Sequence, residues 1–271
     1  MGTMTLRTSP TRVLPPTVAT AKTVAYGPST GVTVEIPAGP PTLAAHQLRA
    51  AQAATLAAPR LRYDPFSRLL FFTVNLLYGR KGSLRKFLFL EYLARIPYQA
   101  WEEVAYRAIA RSEGRSALAH RIMERVVDAR AQQDNEQYHL LILEDLLRSR
   151  GTKLGRLRYR ILPRLIGGPW HLFVWTLHLL RPAWSYRLNA AFEDHAEHEY
   201  MRYVAEHPEL DHEPLECAAA EGYGTFASLA DLLRQIGHDE RIHKLESLAA
   251  ESTHRGAQPG DDNECTEPEA A

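Results

Sequence analysis

The sequence predicts an all-α protein. Three observations carry this expectation. From residue 64 to about residue 250 apolar residues recur at helical spacing, the runs are separated by Gly or Pro, and alternating β patterns are almost absent after residue 40. The 271 residues are 45% hydrophobic and 24% charged, enough to bury a sizeable core. Thirty-two basic residues balance 32 acidic ones, so no global field draws the chain to nucleic acid. Cys217 and Cys265 make neither a disulfide framework nor a zinc-finger set.

Residues 1–63 read as an N-terminal extension. Residues 1–41 are rich in Pro, Thr and Val without a sustained period and are expected to be disordered or loosely extended. Residues 42–58 form an Ala-rich, weakly helical patch. One acid, Glu35, stands in the extension against Arg7, Arg12, Lys22, Arg49, Arg60 and Arg62, a bias compatible with a transit peptide or a plain lead-in. The helical domain, 64–250, opens at Asp64-Pro65, an N-cap followed by proline. Six helices are expected, at roughly 65–79, 83–110, 115–149, 157–180, 183–206 and 223–250. Residues 251–271, with Asp261, Asp262, Glu264, Glu267 and Glu269, read as a disordered acidic tail. The longest apolar uncharged stretch, Leu165 to Leu180, is sixteen residues, short of the roughly 20 that span a bilayer.

Four helices carry a glutamate in an apolar or small-residue setting. These are Glu91 after Phe87-Leu88-Phe89-Leu90, Glu136 with His139, Glu193 after Ala190-Ala191-Phe192, and Glu240 with His243. A helical Glu-x-x-His places both side chains on one face, one turn apart, within reach of one metal ion. Four such pairs occur where chance gives roughly one. Two of them, Glu209–His212 between prolines and Glu251–His254 at the tail, are accidental by their surroundings. The other two alternate with the lone glutamates at gaps of 45, 57 and 47 residues, one helix and a connection each time. Four carboxylates and two imidazoles around two divalent ions give a neutral site, which can be buried. One Glu from each of two helices and Glu-x-x-His from each of two others is the ligand set of ferritin-like di-iron carboxylate bundles. The expected architecture is therefore a ferritin-like four-helix bundle with a di-iron core and two additional helices. Mixed oxygen and nitrogen ligands suit iron first and manganese second.

The motifs resemble those of the alternative oxidases, the di-iron quinol oxidases, and their plastid terminal oxidase relatives. Leu90-Glu91-Tyr92-Leu93-Ala94-Arg95-Ile96-Pro97 resembles the family's Leu-Glu-Thr segment with its later proline, and Asn135-Glu136-Gln137-Tyr138-His139-Leu140 resembles Asn-Glu-Arg-Met-His-Leu. Phe192-Glu193-Asp194-His195-Ala196-Glu197-His198-Glu199-Tyr200 resembles Leu-Glu-Glu-Glu-Ala-x-His-Ser-Tyr, and Asp239-Glu240-Arg241-Ile242-His243 resembles Asp-Glu-Ala-His-His. The resemblance runs from about residue 66 to 250 and includes all six ligand positions. It departs at Gln137, at His195 and Glu199, and at Lys86, which stands beside Arg85 where the family has a quinone-contacting arginine.

The resemblance implies a membrane-associated quinol oxidase that reduces O2 to water with electrons from ubiquinol or a related quinol. Glu91, Glu136, His139, Glu193, Glu240 and His243 would hold two iron ions, and Tyr200 would be the catalytic tyrosine. Asn135 and Asp239, each directly before a ligand glutamate, would hydrogen-bond ligands from behind. Lys86, Arg85, His195 and Glu199 are the candidates for the substrate pocket. Alternatives are a di-iron hydroxylase of a lipid or quinone precursor and a non-enzymatic ferritin-like iron-binding protein. Leu69, Leu70, Phe71, Phe72, Leu76 and Leu77 end at Arg80, Lys81, Arg85 and Lys86, and a tryptophan-bearing apolar helix follows Lys153 to Arg164. Apolar helices rimmed by bases suit a monotopic position in one leaflet beside anionic headgroups, the cytoplasmic face of a bacterial inner membrane or an organellar membrane. The same faces would also suit a homodimer.

Overall fold

The computed structural model describes residues 22–25, 33–36, 42–215 and 217–256. The chain divides into two compact units, Met1–Pro41 and Thr42–Ala271. In the first, β1 (Lys22–Ala25) pairs antiparallel with β2 (Thr33–Ile36), Val24 opposite Val34. A disordered or loosely extended stretch was expected here. The two strands instead draw on β-branched Thr23, Val24, Thr33, Val34 and Ile36, which favour a pleated pair. The rest of 1–41 lies outside the described residues, as does the expected tail from 257 onward.

The second unit is helical. Its helices are α1 (Ala45–Ala57), α2 (Pro65–Tyr78), α3 (Leu84–Ala110), α4 (Ser116–Ser149), α5 (Leu162–Leu180), α6 (Pro182–Glu206) and α7 (Leu229–Gly256). A π-helical turn, Leu157–Ile161, leads into α5. Helices α3 and α4 pack along each other, as do α6 and α7, while α5 lies on α3 and α6.

Two boundaries move from their expected places. The unit begins at Thr42, not at residue 64, because α1 docks on α6 and α7 through Leu48, Gln52 and Thr55. The weak apolar stripe of this Ala-rich helix is supplemented by polar contacts. Gln52 donates to the Met201 carbonyl at 2.9 Å and accepts from Arg234 at 2.8 Å. Helix α7 starts at Leu229 instead of 223, with the Ser228 hydroxyl accepting from the Asp231 amide. It runs on to Gly256, supported by the Arg255–Glu251 pair one turn apart.

Local chemistry fixes the other helices. Asp64 caps α2 by accepting from the Phe66 and Ser67 amides, and Gly79 closes it at φ 96°, a conformation that suits glycine. Ser83 caps α3. Pro97, inside α3, has no N–H for the carbonyl of Leu93 four residues earlier, and the Trp170 indole of α5 donates to that carbonyl at 3.2 Å. The broken backbone bond of α3 thus becomes a tie to α5.

Helix α6 is the centre of the packing. Eighteen of its 25 residues are buried, including every residue from Leu188 to Met201. A helix buried all round must find partners for each polar side chain it carries. Glu193 faces α3, α4 and α7. On the opposite side Asp194 accepts from the Leu61 amide, the Tyr63 hydroxyl and Lys244, and Glu197 accepts from Thr55 and Lys244.

Candidate metal centre

The six expected ligands come together. Glu91 from α3, Glu136 and His139 from α4, Glu193 from α6, and Glu240 and His243 from α7 are each at most 1% exposed. Their ligand atoms form two groups, Glu91–Glu136–His139–Glu240 and Glu136–Glu193–Glu240–His243, within each of which all atoms lie within 4.8 Å of one another. These buried clusters could hold metal ions. Glu136 and Glu240 belong to both.

Hydrogen bonding separates the four carboxylates into two kinds. Glu91 accepts from the Tyr200 hydroxyl at Oε1, and Glu193 accepts from Tyr98 at 2.7 Å and Asn189 at 2.9 Å, also at Oε1. Each keeps one bare oxygen, Oε2. Glu136 and Glu240 have no hydrogen-bond partner at either oxygen. The outer pair is therefore built to give one oxygen, and the shared pair to give two.

The imidazoles obey the same logic. His139 Nδ1 lies 3.1 Å from Glu240, 3.3 Å from Glu91 and 3.7 Å from Glu136, yet makes no hydrogen bond with any of them. His243 Nδ1 lies 2.7 Å from Glu136 and is likewise unbonded. The atoms point at a common space and not at each other. On the far side of the His139 ring, Nε2 lies 3.4 Å from Asp239 Oδ2 and 3.2 Å from the Tyr223 hydroxyl. A proton held there leaves the Nδ1 lone pair for a cation.

Asp239 lies directly behind the ligand candidate His139, whereas Asn135 hydrogen-bonds Asp239 and none of the six. Both are buried, and the Asn135 amide donates to Asp239 at 3.3 Å. Asp239 also accepts from Gln235 at 2.8 Å and from Tyr223. Gly237, one turn before Glu240, brings α7 close to α6: a Cβ there would lie 3.1 Å from both the Tyr200 Cβ and the Met201 side chain.

Burial and mutual repulsion set the protonation of the four carboxylates. Burial and the neighbouring Glu136 push Glu91 up to about 8. Burial and Glu136 likewise push Glu193 up to about 7 and Glu240 well above the ordinary carboxylate value. Glu136 is also opposed by burial, but the His139 and His243 imidazoles beside it hold it below. Four carboxylates buried together cannot all be anions unless cations enter with them. The donor set, the bare atoms and the charge balance all fit a pair of divalent ions.

Tyr98, Asn189 and Tyr223 were not singled out from the sequence. Tyr98 stands two turns after Glu91 on α3, a spacing that could have marked it. Tyr223 was absorbed into a helix expected from 223, whereas it lies on the irregular stretch before α7.

The four candidate pocket residues divide. Lys86 is fully buried, its ammonium donating to Asn75 at 2.8 Å and Glu199 at 2.9 Å. Glu199 also pairs with Arg60 and Arg202. His195 stacks on Phe71 with ring centroids 4.0 Å apart, and burial lowers its pKa to about 3, so the ring is neutral. Its Nε2 has no hydrogen-bond partner. Arg85 is exposed and joins none of them. His195 lines a cavity of about 760 Å3 together with Arg60, Tyr63, Phe71, Phe72 and Leu76.

A third group, Asp194, Glu197 and His198, also has ligand-like spacing. The Lys244 ammonium occupies it, 3.1 Å from Asp194 and paired also with Glu197, so a cation already stands between the two carboxylates.

No family model matches the sequence, and no curated protein matches it significantly.

Proposed function

We propose that the chain is a di-iron quinol oxidase of the alternative-oxidase type, built on a ferritin-like four-helix bundle of α3, α4, α6 and α7. One observation carries the reading. Six buried ligand atoms sets converge without hydrogen-bonding one another, and the two shared glutamates are bare at both oxygens. Glu136 and Glu240, which belong to both groups, would be shared between the two ions, Glu91 and Glu193 would each serve one, and His139 and His243 would be the nitrogen ligands. The mixed oxygen and nitrogen set supports iron.

A bound iron pair supplies the dioxygen chemistry and accepts the electrons. The protein's own residues orient the ligands and move protons. Tyr200 can pass its phenolic proton to Glu91, with which it is hydrogen-bonded. The cavity beside His195 is the substrate site of this reading. Its aromatic and aliphatic walls suit an apolar ring, and neutral His195, whose Nδ1 accepts from Arg60 at 3.3 Å, keeps its proton on Nε2 and can donate to a quinol oxygen.

The outer face supports delivery from a membrane. Leu69, Phe72 and Leu76 of α2 and Leu165, Leu172 and Leu180 of α5 are exposed, Leu76 at 73%. Among the described residues no helix is long and apolar enough to cross a membrane. A chain lying in one leaflet uses such faces without spanning it. A second reading, a di-iron hydroxylase of a lipid or quinone precursor, is favoured by Arg60, Arg68 and Arg80 at the cavity wall, which suit an acidic head. The test is cyanide-insensitive oxygen uptake by membranes carrying the protein, with quinol supplied and products analysed. Water as sole oxygen product supports the oxidase, an oxygenated substrate supports the hydroxylase, and neither with a metal-loaded chain rejects both.

A further inference from the structure

We propose that Tyr98, Trp101 and Tyr186 form a one-electron relay between the metal centre and the protein surface, separate from the substrate cavity. The proposal rests on the reading of the six buried residues as a di-iron centre.

The relay begins at a ligand. Tyr98 is fully buried, its hydroxyl donates to Glu193 Oε1 at 2.7 Å, and Asn189 fixes the same oxygen pair by donating to both. A packing role alone would be met by phenylalanine, without the cost of burying a hydroxyl. One turn along α3, Trp101 meets Tyr98 edge-on with ring centroids 5.1 Å apart. Its indole N–H is held by Ser185 at 2.8 Å. Tyr186, next to Ser185 on α6, lies 4.5 Å from Trp101. Tyr186 in turn lies 5.1 Å from His254, a partly exposed residue in the last turn of α7. Tyr98, Trp101 and Tyr186 are thus oxidisable side chains in direct succession, running from a buried carboxylate to the edge of the unit. His178 packs on both Trp101 and Tyr186, and burial lowers its pKa to about 3. A neutral neighbour does not oppose a positive charge on the indole.

The steps balance. Tyr98 would give up one electron to an oxidised metal pair held by the six ligands, and its phenolic proton would move to Glu193. Trp101 then gives an electron to Tyr98, and Glu193 returns the proton. Tyr186 reduces the Trp101 cation radical and loses its phenolic proton to water. A one-electron reductant of the ascorbate or thiol class restores Tyr186 with an electron and a proton. Net, the reductant loses one hydrogen atom, water gains a proton, and the centre gains one electron. The path would discharge an oxidised centre when no quinol is bound, before its own ligands are attacked.

The test loads the whole chain anaerobically with ferrous iron, measures bound iron, mixes with O2 in the absence of quinol, and follows radicals by freeze-quench EPR with ring-deuterated tyrosine. The relay predicts an aromatic radical on Trp101 or Tyr186 that added ascorbate removes. In Trp101→Phe the radical should stay on Tyr98 and resist ascorbate, with iron content unchanged. Tyr186→Phe, which keeps the packing, should hold it on Trp101 with the same resistance. Equal ascorbate quenching in both variants and the parent overturns the relay. So does bound iron without a radical on these three residues, which leaves the metal reading intact. A chain that binds no iron overturns both.

Discussion

The Tyr200 hydroxyl is hydrogen-bonded to Glu91, a carboxylate on a different helix, although Tyr200 and Glu193 share a face of α6. The sequence spacing places this tyrosine two turns from Glu193, but the partner of Glu193 is Tyr98. Each outer glutamate therefore has its own phenol. Tyr200→Phe should leave metal content unchanged, because the hydroxyl occupies the oxygen of Glu91 that faces away from the cluster. Turnover should fall by about 10²–10⁴-fold if the phenol supplies a proton during O–O cleavage. Full oxidase activity in this variant would remove the role proposed for Tyr200.

The division of the carboxylates gives an unequal set of metal-binding phenotypes. Glu136→Ala and Glu240→Ala each remove a side chain common to both ligand groups, and both ions should be lost. Glu91→Ala and Glu193→Ala remove a ligand from one group only and should leave one ion bound more tightly than the other. Metal analysis and titration of the four variants check this. Equal loss in all four would mean that the bare oxygens do not distinguish shared ligands from those serving one ion.

Stability without metal should depend on pH in a defined direction. Glu91 at about 8 and Glu193 at about 7 stand above their ordinary value of 4.5. The folded chain therefore binds more protons than the unfolded chain between pH 4.5 and 8. Stability is greatest below that window and declines as pH rises through it. His139 and His243, also raised, act with the same sign at higher pH. Glu136 is shifted downward and acts in the opposite sense, but below pH 4.5. Thermal melts of the metal-free chain should show a lower Tm at pH 8 than at pH 6. Binding of divalent ions releases protons and should narrow or reverse the difference. A metal-free chain more stable at pH 8 would contradict the carboxylate assignments.

The apolar face of α2 can be tested by charge. Leu69, Phe72 and Leu76 are exposed, so replacing all three with glutamate disturbs little of the core. The triple variant should keep its fold and move from the membrane fraction to the supernatant. Flotation with anionic vesicles measures the change. A parent chain that does not bind vesicles would end the monotopic reading.

Lys86 should act on stability more than on substrate affinity. Its ammonium is buried against Asn75 and Glu199, and removing one member of a buried ion pair leaves the other charge uncompensated. Arg60 and Arg202 still reach Glu199, so Lys86→Ala should cost about 3 kcal/mol, the lower end of the usual loss for a broken buried pair. Lys86→Met combined with Glu199→Gln should recover part of it. Chemical denaturation gives both values. A raised KM for quinol with unchanged stability would instead place Lys86 at the substrate.

The ligand set was legible because its spacing obeys helical geometry. Glu-x-x-His is a property of one turn, and two such pairs alternating with two lone glutamates left little room for accident. The positions of the six helices were legible for the same reason, from their apolar periods and their Gly and Pro breaks. Partners drawn from other helices were not. Nothing in the neighbourhood of Tyr98 says that its hydroxyl meets Glu193, 95 residues away in the chain. The acids and histidines on the second face of α6 were equally opaque. Glu199 was a candidate for the substrate pocket, and no partner could be named for Asp194 or Glu197 until the segment before α2 and Lys244 were placed against them. Helix α1 was undervalued because an Ala-rich sequence shows little apolar period, and much of its attachment runs through Gln52 and Thr55.

That attachment decides where the chain can be cut. To the eye, residues 42–63 belong to a leader that processing or protein engineering might remove. Yet Gln52, Thr55, Arg60, the Leu61 amide and Tyr63 supply partners to Arg234, Glu197, Glu199 and Asp194. A cut at residue 64 would strip Asp194, Glu197 and Glu199 of donors and counter-charge, and Arg234 of an acceptor, while leaving all six ligands in the sequence. The shortened protein would carry every motif and lack the clamp that holds α6 in place.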